Sequence, residues 1–570
     1  MSSGPLCGMW LPTARRRNSD RSQVRYLSLA HNEWDRVAGC SKVRILFNSG
    51  REDGLDPDAI RRLIGSLSRA LPPDEALTAA TAPELRFLES RPLGGAWLLD
   101  GLWSRLGLRE ILVGLLHGRR LDPSAERVLF AMVANRALDP LSKLGCAAWV
   151  TEKAVIPGLA ELDDDQCYRA MDWLLQIEAE LTERVYWSVA NLLNLEVDLL
   201  FFDTTSTYFE MDAADAPSEG APKGFRAYSG HSKDHRPDLP QVVIGLAVTR
   251  TGIPIRVWTF PGNTADMALI RGVKDDLLAW KLGRVVWVTD RGFNSAENRR
   301  YLQRAGGHYI TGEKLRGESA EAKAALARAG RYQVVAGNLE VKEVVLDEGT
   351  MRDRFIVCRN PDEAVRDAAI RDRLVGQLEA AIAESDALDP AARAKLACDL
   401  RGKPTNRRFL RTTGAGLLRI DRAAVAADAK LDGKFLLRTS DPTLSAADVA
   451  TGYKQLLEVE RGWRDMKTTL DLRPVYHRKE QRIRAHVLLC WLALLLIRLA
   501  EQATGETWRN LRAEMDKLHL GRFGGPAGEV SQRTEITTRQ TAILRAAEVA
   551  EPPRYVRVAT PQAAPATVTG

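Results

Sequence analysis

A mixed α/β fold, with a sheet flanked by helices, is what this sequence predicts, and three observations carry the expectation. Helical periodicity runs almost unbroken from about Gly94 to Asn194. At Leu195 the pattern changes to nearly continuous apolar runs of strand length, the first of them VDLLFFD at 197–203, as expected of strands covered on both faces. Strands and helices then alternate, and long apolar helical patterns return after residue 440. With 570 residues, 45% hydrophobic and 27% charged composition, the chain falls in the globular class, and its length predicts several folding units, at roughly 100 to 200 residues each.

In chain order, residues 1–24 read as unstructured, and 26–49 alternate enough to predict short strands before the turn Asn48-Ser49-Gly50. Asp56-Pro57 opens a helix with Leu63, Ile64 and Leu67 on one face; these strands and the helices up to 194 make a mainly helical N-terminal region, 25–194. Within it, 124–138 reads as amphipathic and 165–194 as a helix pair. Residues 195–313 hold the strand at 197–203, a hairpin from QVVIGLAV to IPIRVWTF, a helix at 266–282, a buried strand at 285–289 and a helix at 295–305. Residues 314–430, with strands near 332–345 and 354–359 and then an Ala/Arg/Asp-rich helical stretch, read as a partly β insertion. Core character resumes at 431–502 with the strand KFLLRTS and helices at 445–470 and 482–502; 503–570 ends in an Ala/Pro/Thr-rich tail expected to be disordered.

The net charge of +7, from 81 Lys plus Arg against 74 Asp plus Glu, permits a nucleic-acid partner without arguing for one. The 7 cysteines are scattered, with no Cys-x-x-Cys pair, which argues against a zinc ribbon or a disulfide framework and fits a reducing cytoplasm. The apolar run 487–497 is short of the roughly 20 residues that span a bilayer, so it reads as a core helix, with no membrane partner and no secretory leader.

Asp203 closes the first buried strand and Asp290 the later one, in VVWVTDRGF. Either aspartate alone reads equally as a turn or helix cap. Two of them at strand ends of one sheet, with adjacent strands about 5 Å apart, bring carboxylates together around a divalent cation. A third acid is sought at 445–470, where Tyr453, Glu460 and Lys467 recur every seven residues and share a face. Leu456, Val459, Trp463, Met466 and Leu470 form the neighbouring apolar stripe, which puts Glu460 at the core margin and turns Glu458 away; the plain alternative is a solvated helix with paired charges. Basic residues follow (Arg461, Arg464, Lys467, Arg473, Arg478, Lys479, Arg482, Arg484) and read as a phosphate track or as a solvated surface. Trp463 suits either base stacking or, on the apolar stripe, core packing. His231, Asp234, His235 and Asp238 crowd one loop, but Gly230 and Pro237 argue against the helical spacing of a His-x3-His metal pair; Lys233 and Arg236 there are candidate DNA contacts.

Asp203, Asp290 and Glu460 in this order resemble the DDE triad of RNase H-like insertion-sequence transposases. The segment Tyr453-x2-Leu456-x3-Glu460-x6-Lys467 is similar to the signature Tyr-x2-Arg-x3-Glu-x6-Lys, with Leu456 at the Arg position. FFDTTSTYFE, GHSKDHRPDLPQ, PGNTAD, VTDRGFNS and RPVYHRKEQRIRAHVLL resemble a long-protein subgroup of the insertion-sequence-four transposases.

The resemblance implies an RNase H-like mixed sheet, interrupted by the insertion. It implies two Mg²⁺ or Mn²⁺ ions, Asp203 shared between them, Asp290 on one and Glu460 on the other. It further implies strand cleavage and strand transfer on double-stranded DNA, with Tyr453, Arg464, Lys467, Lys233 and Arg236 as the DNA-binding set. Recognition of terminal inverted repeats by the N-terminal region, a homodimer on DNA and a cytoplasmic, nucleoid-associated location complete the expectation. The rival readings are a transposase-derived DNA-binding protein without catalysis and an RNase H-like nuclease without strand transfer.

Overall fold

The computed structural model describes residues 12–17, 23–35, 39–68, 86–117, 123–193, 199–218, 221–230, 232–280, 284–317, 319–348, 351–525 and 528–559. They form two bodies, one of residues 1–90, 521–532 and 555–570, the other of 91–520 and 533–554.

In the first body β1 (Thr13–Arg17), β2 (Gln23–Asp35) and β3 (Cys40–Arg51) make an antiparallel sheet, followed by α1 (Pro57–Ser68). The strands expected near 26–49 are present. Strand β1 falls in the stretch that reads as unstructured, because Thr13 to Arg17 pair with Leu27 to Gln23. Leu63 of α1 is exposed; the side chains of Ile64 and Leu67 lie outside the described residues. Strand β4 (Arg86–Pro92) edges a sheet whose other strands, His519–Gly525, Gly528–Arg533 and Tyr555–Ala559, come from the C-terminal region, the last of them from its expected disordered tail.

The second body begins with the predicted helices: α2 (Gly94–Arg105), α3 (Leu108–Leu116), α4 (Ala125–Leu138), α5 (Lys143–Ala148), α6 (Asp164–Gln176) and α7 (Glu178–Leu193). Helix α4 is not amphipathic as expected: every residue of it is buried. Burying charge without a partner is costly. Here the Trp103 indole N–H donates to Glu126 (2.8 Å), and Arg127 reaches Asp100 (2.6 Å).

Beyond the helices lie β5 (Leu199–Tyr208), β6 (Gln241–Val248), β7 (Pro254–Pro261), α8 (Asp266–Leu278), β8 (Val286–Thr289), α9 (Ala296–Leu302) and β9 (His308–Glu313). Then come α10 (Ala320–Ala327), β10 (Gln333–Ala336), β11 (Leu339–Glu348), β12 (Met351–Arg359), α11 (Pro361–Asp386), α12 (Pro390–Gly402), α13 (Pro404–Arg407), β13 (Leu410–Thr412), β14 (Leu418–Ile420) and α14 (Arg422–Ala429). The chain continues through β15 (Lys434–Thr439), α15 (Ala446–Lys454), α16 (Leu457–Thr468), α17 (Glu480–Thr504), α18 (Trp508–Met515) and α19 (Thr538–Ala546).

One sheet, ordered β10-β11-β12-β15-β9-β8-β5-β6-β7, organises this body. β5, β8 and β9 run parallel, whereas β5-β6-β7 are antiparallel, giving the expected mixed sheet flanked by helices. Parallel neighbours need crossovers; α8 and α9 supply them. The strands of the expected insertion join the main sheet through β12 and β15, while α11, α12, β13 and β14 close a small core of their own around Val375, Leu378, Ile382, Phe409 and Leu418.

Alternation along β5 sorts its faces. Leu199 and Phe201 join a core with α4, α6, α16 and α17, and Leu200 and Phe202 join the core under α8. Helix α17 is long and apolar enough to cross a membrane by composition, but 94% of its most apolar window is buried within this body. The helix expected over 445–470 is divided at Gln455-Leu456, where i→i+3 bonds tighten the chain: Gln455 N–H to Gly452 C=O and Leu456 N–H to Tyr453 C=O, both 3.0 Å. Gly452, a weak helix former, sits hard on the sheet; a Cβ there would lie 2.9 Å from Leu199 Cδ1.

Candidate active site

The two aspartates meet through strand register. Phe202 pairs with Thr289 across parallel β5 and β8, so one further step sets Asp203 beside Asp290, about 5 Å apart at the backbone. Asp203 does not close its strand as expected. β6 continues to pair with β5 through Tyr208, whereas β8 stops at Thr289; the sheet therefore opens at Asp203 on the β8 side only. Alternation turns Asp203 to the face of Phe201, the face covered by α16 and α17.

Burial raises the proton affinity of Asp203, Lys233 opposes the rise, and the carboxylates of Asp266 and Asp290 add to it. The Lys233 ammonium lies 3.6 Å from Asp203 Oδ1 and 3.3 Å from Asp266 Oδ2, and donates to the Thr204 carbonyl (2.7 Å) and hydroxyl (2.6 Å). The Thr204 hydroxyl donates to Asp266 Oδ1 (2.6 Å). Sequence reasoning missed Asp266. Its string, PGNTAD, is informative only as a resemblance, since an acid in the first turn of a helix reads as a complement to the helix dipole.

On α15 the Tyr453 hydroxyl donates to Asp290 Oδ1 (3.1 Å). Burial, and then the charges of Asp290 and Asp203, push this phenol well above its ordinary range. Gly312 makes room for it, since a Cβ there would lie 2.6 Å from the Tyr453 hydroxyl.

Glu460 is exposed, on the flank of α16 that also carries Lys467. The structure does not bring it into contact with the aspartates; among the described residues no three His, Cys, Asp or Glu side chains stand close enough to hold an ion together. Lys467 Nζ lies 2.8 Å from Asp234 Oδ1, and Arg473 lies 2.9 Å from the same atom. Asp234 is buried, and its Oδ2 has no partner.

Of the remaining predicted residues, Arg464 is exposed and forms no ion pair among the described residues, whereas Arg236 pairs with Asp238 (2.7 Å) and lies over the Tyr208 ring. Much of the basic track is already paired, Arg461 with Glu501, Arg482 with Asp172 and Arg484 with Glu480. Leu456 packs against the core, and Trp463 is buried as the core-packing alternative requires. His231 lies outside the described residues; its neighbour His235 takes a left-handed turn (φ 57°).

Two clefts flank the aspartates. One of about 510 Å³ is lined by Asp290, Tyr453, Arg291, Lys314, Arg316 and Lys434, the other of about 620 Å³ by Lys233, Lys223, Ser206, Asn263, Asp266 and Gly292. Asp203, Asp266 and Asp290 are hard-oxygen groups of the kind a divalent cation takes, but as they stand Lys233 supplies the positive charge beside Asp203 and Asp266, and no three acids meet around one point among the described residues.

A model of the transposase DDE domain matches residues 209–496, or 288 of the 570, a span that contains Asp290, Tyr453, Glu460 and Lys467 and begins just after Asp203. No curated protein matches the chain. Among solved structures, the piggyBac transposase synaptic complex with hairpin DNA is similar at 10% identity and a TM-score of 0.35, over 74% of this chain and 78% of that one. With more than half of its length matched by the domain model, the chain belongs to the transposase DDE-domain family.

Proposed function

We propose that this chain is a DDE transposase of the insertion-sequence-four-like branch, which cuts DNA at the terminal inverted repeats of its element and transfers the freed 3′ ends into target DNA. The observation that carries the reading is the side-by-side register of Asp203 and Asp290 on parallel strands, with Tyr453 of the signature segment bonded to Asp290. Asp203, Asp290 and Glu460 would hold two Mg²⁺ or Mn²⁺ ions, Glu460 closing from its exposed position on α16. Such cations, when bound, activate a water or 3′-hydroxyl nucleophile and stabilise the leaving oxygen.

The rest is the work of the chain's own groups. Tyr453 fixes one oxygen of Asp290 and so sets the direction of the other. Lys233 balances Asp203 and Asp266, keeping Asp203 available as an anion despite its burial. Asp234 ties the loop carrying Lys233 to α16 through Lys467. Arg464, exposed and without an ion pair among the described residues, suits a direct phosphate contact; Lys233, Arg236, Tyr453 and Lys467 border the same DNA path. Residues 25–194 recognise the element ends, two copies pair those ends, and the protein works on the nucleoid.

The test is a labelled element-end duplex incubated with Mg²⁺ and a target plasmid. The reading expects nicked and joined products from the wild type and neither from Asp203→Asn, Asp290→Asn or Glu460→Gln, with DNA affinity retained. Hydrolysis that never yields joined product would point to a nuclease instead, and full cleavage by any one variant would remove that residue from the triad.

A further inference from the structure

Away from the aspartates, a cavity of about 470 Å³ opens between the end of α4, α5, α6 and the start of α17. Its walls include Arg136, Lys143, Tyr168, His477 and His486, together with Asp471, which is exposed. Arg136, Lys143 and His486 are each 4% exposed, so three basic side chains are withdrawn from water at one place. Neither Arg136 nor Lys143 forms an ion pair among the described residues, and Arg136 Nε and His486 Nδ1 are buried without a hydrogen-bond partner. Arg136 makes one long bond, 3.5 Å, to the backbone carbonyl of Asp471.

Buried cations without an ion-pair partner are costly, and ordinarily such groups are paired or bind an anion; Asp471 forms no ion pair with Arg136 or Lys143 among the described residues. The strain is visible in the protons. Lys143 is pushed down to about 8, by burial first and then by Arg136; His477 falls to about 4, by burial and then by Lys143 and Arg482; His486 falls well below its ordinary value, by burial and then by Lys143 and Arg136.

We propose that this cavity is a phosphate-binding pocket in which Arg136 and Lys143 present their N–H groups to a tetrahedral oxyanion, with Tyr168, His477 and His486 lining it beside them. Guanidinium and ammonium donors lining one cavity suit a phosphate, which accepts several charge-assisted bonds at once. The loop at 471–479 joins this pocket to the carboxylate site, since Arg473 holds Asp234 while His477, on the same loop, lines the cavity. The same chemistry is offered by a DNA backbone phosphate or by a free phosphate ligand. Only the DNA source rests on the transposase reading.

The test uses the full chain. Inorganic phosphate should raise the unfolding temperature beyond chloride at equal ionic strength. Lys143→Met should raise the temperature measured without phosphate, because a buried unpaired ammonium is gone, and should weaken the phosphate response about tenfold or more. Should that variant not fold, acylation of Lys143 in the wild type, read by mass spectrometry, takes its place: phosphate should slow the reaction about tenfold. Equal responses to phosphate and chloride, an undiminished response in Lys143→Met, or acylation untouched by phosphate would each overturn the proposal.

A second arm separates the sources. If Lys143→Met lowers the salt slope of duplex binding by about one, the ligand is a backbone phosphate; an unchanged slope with a lost phosphate response assigns a free phosphate ligand. Loss of the phosphate effect would leave the cleavage assay untouched, and failure of cleavage would leave the phosphate effect untouched.

Discussion

Lys467 resembles a family DNA contact, yet its ammonium is already committed to Asp234, and replacing it with methionine distinguishes the two roles. At 2.8 Å and an effective dielectric of 20 the gross attraction is about 6 kcal/mol. Desolvation of both charges consumes most of that, and removing one partner of a buried pair ordinarily costs about 3 to 5 kcal/mol. Arg473 remains 2.9 Å from the same carboxylate oxygen, so Asp234 is not left bare. We therefore expect Lys467→Met to lose about 2 kcal/mol, and a double-mutant cycle with Asp234→Asn, followed by urea unfolding, to return a coupling of that size. The salt slope of duplex binding should stay within about 0.3 of the wild type. A coupling below about 0.5 kcal/mol together with a slope reduced by about 0.9 would show that Lys467 serves a phosphate instead, and the positioning argument would be wrong.

The same geometry predicts four further results. Tyr453→Phe removes the bond to Asp290, so the Mg²⁺ concentration needed for half-maximal cleavage should rise about 10- to 100-fold; Gly312→Ala, which crowds the same hydroxyl, should move it in the same direction, and an unchanged Mg²⁺ titration in both would deny Tyr453 that role. Asp203 must ionise to act, so cleavage should rise with pH through its elevated folded value. That acidic limb should move up in Lys233→Met and down in Asp266→Asn, because Lys233 lowers the Asp203 pKa and Asp266 raises it; shifts of the same sign would refute the cluster. As a raised acid, Asp203 also subtracts from stability above its folded pKa, a penalty that fades as pH falls toward its unfolded value, so Asp203→Asn should be no less stable than the wild type at neutral pH while losing cleavage. Glu460→Gln should alter stability by less than about 0.5 kcal/mol, because the side chain is exposed, and still abolish cleavage.

The sheet was legible because strands covered on both faces leave continuous apolar runs, as in LLFF at 199–202 and QVVIGLAV at 241–248, which no helix of that length mimics. The pairing of β12 with β15 was not, since it joins residues far apart in sequence and leaves no local trace. Polar residues misled at α4, where Glu126 and Arg127 look like a solvated face but satisfy one another inside the core. The break at Gln455 carries no proline to announce it, so the seven-residue spacing of Tyr453, Glu460 and Lys467 crosses two helices. The two aspartates were visible as strand-end acids, but Asp266 and Asp234 were not: each takes its meaning from partners, Lys233 and Lys467 respectively, that only the folded chain brings near.

Whether the three carboxylates share cations is read most directly from a crystal of the DNA-bound chain soaked with Mn²⁺, using anomalous scattering to locate the metal. The account predicts two peaks beside the scissile phosphate, with oxygens of Asp203, Asp290 and Glu460 each roughly 2 Å from one of them. Peaks ligated by the aspartates with Glu460 still facing solvent, or no peak between Asp203 and Asp290, would contradict it.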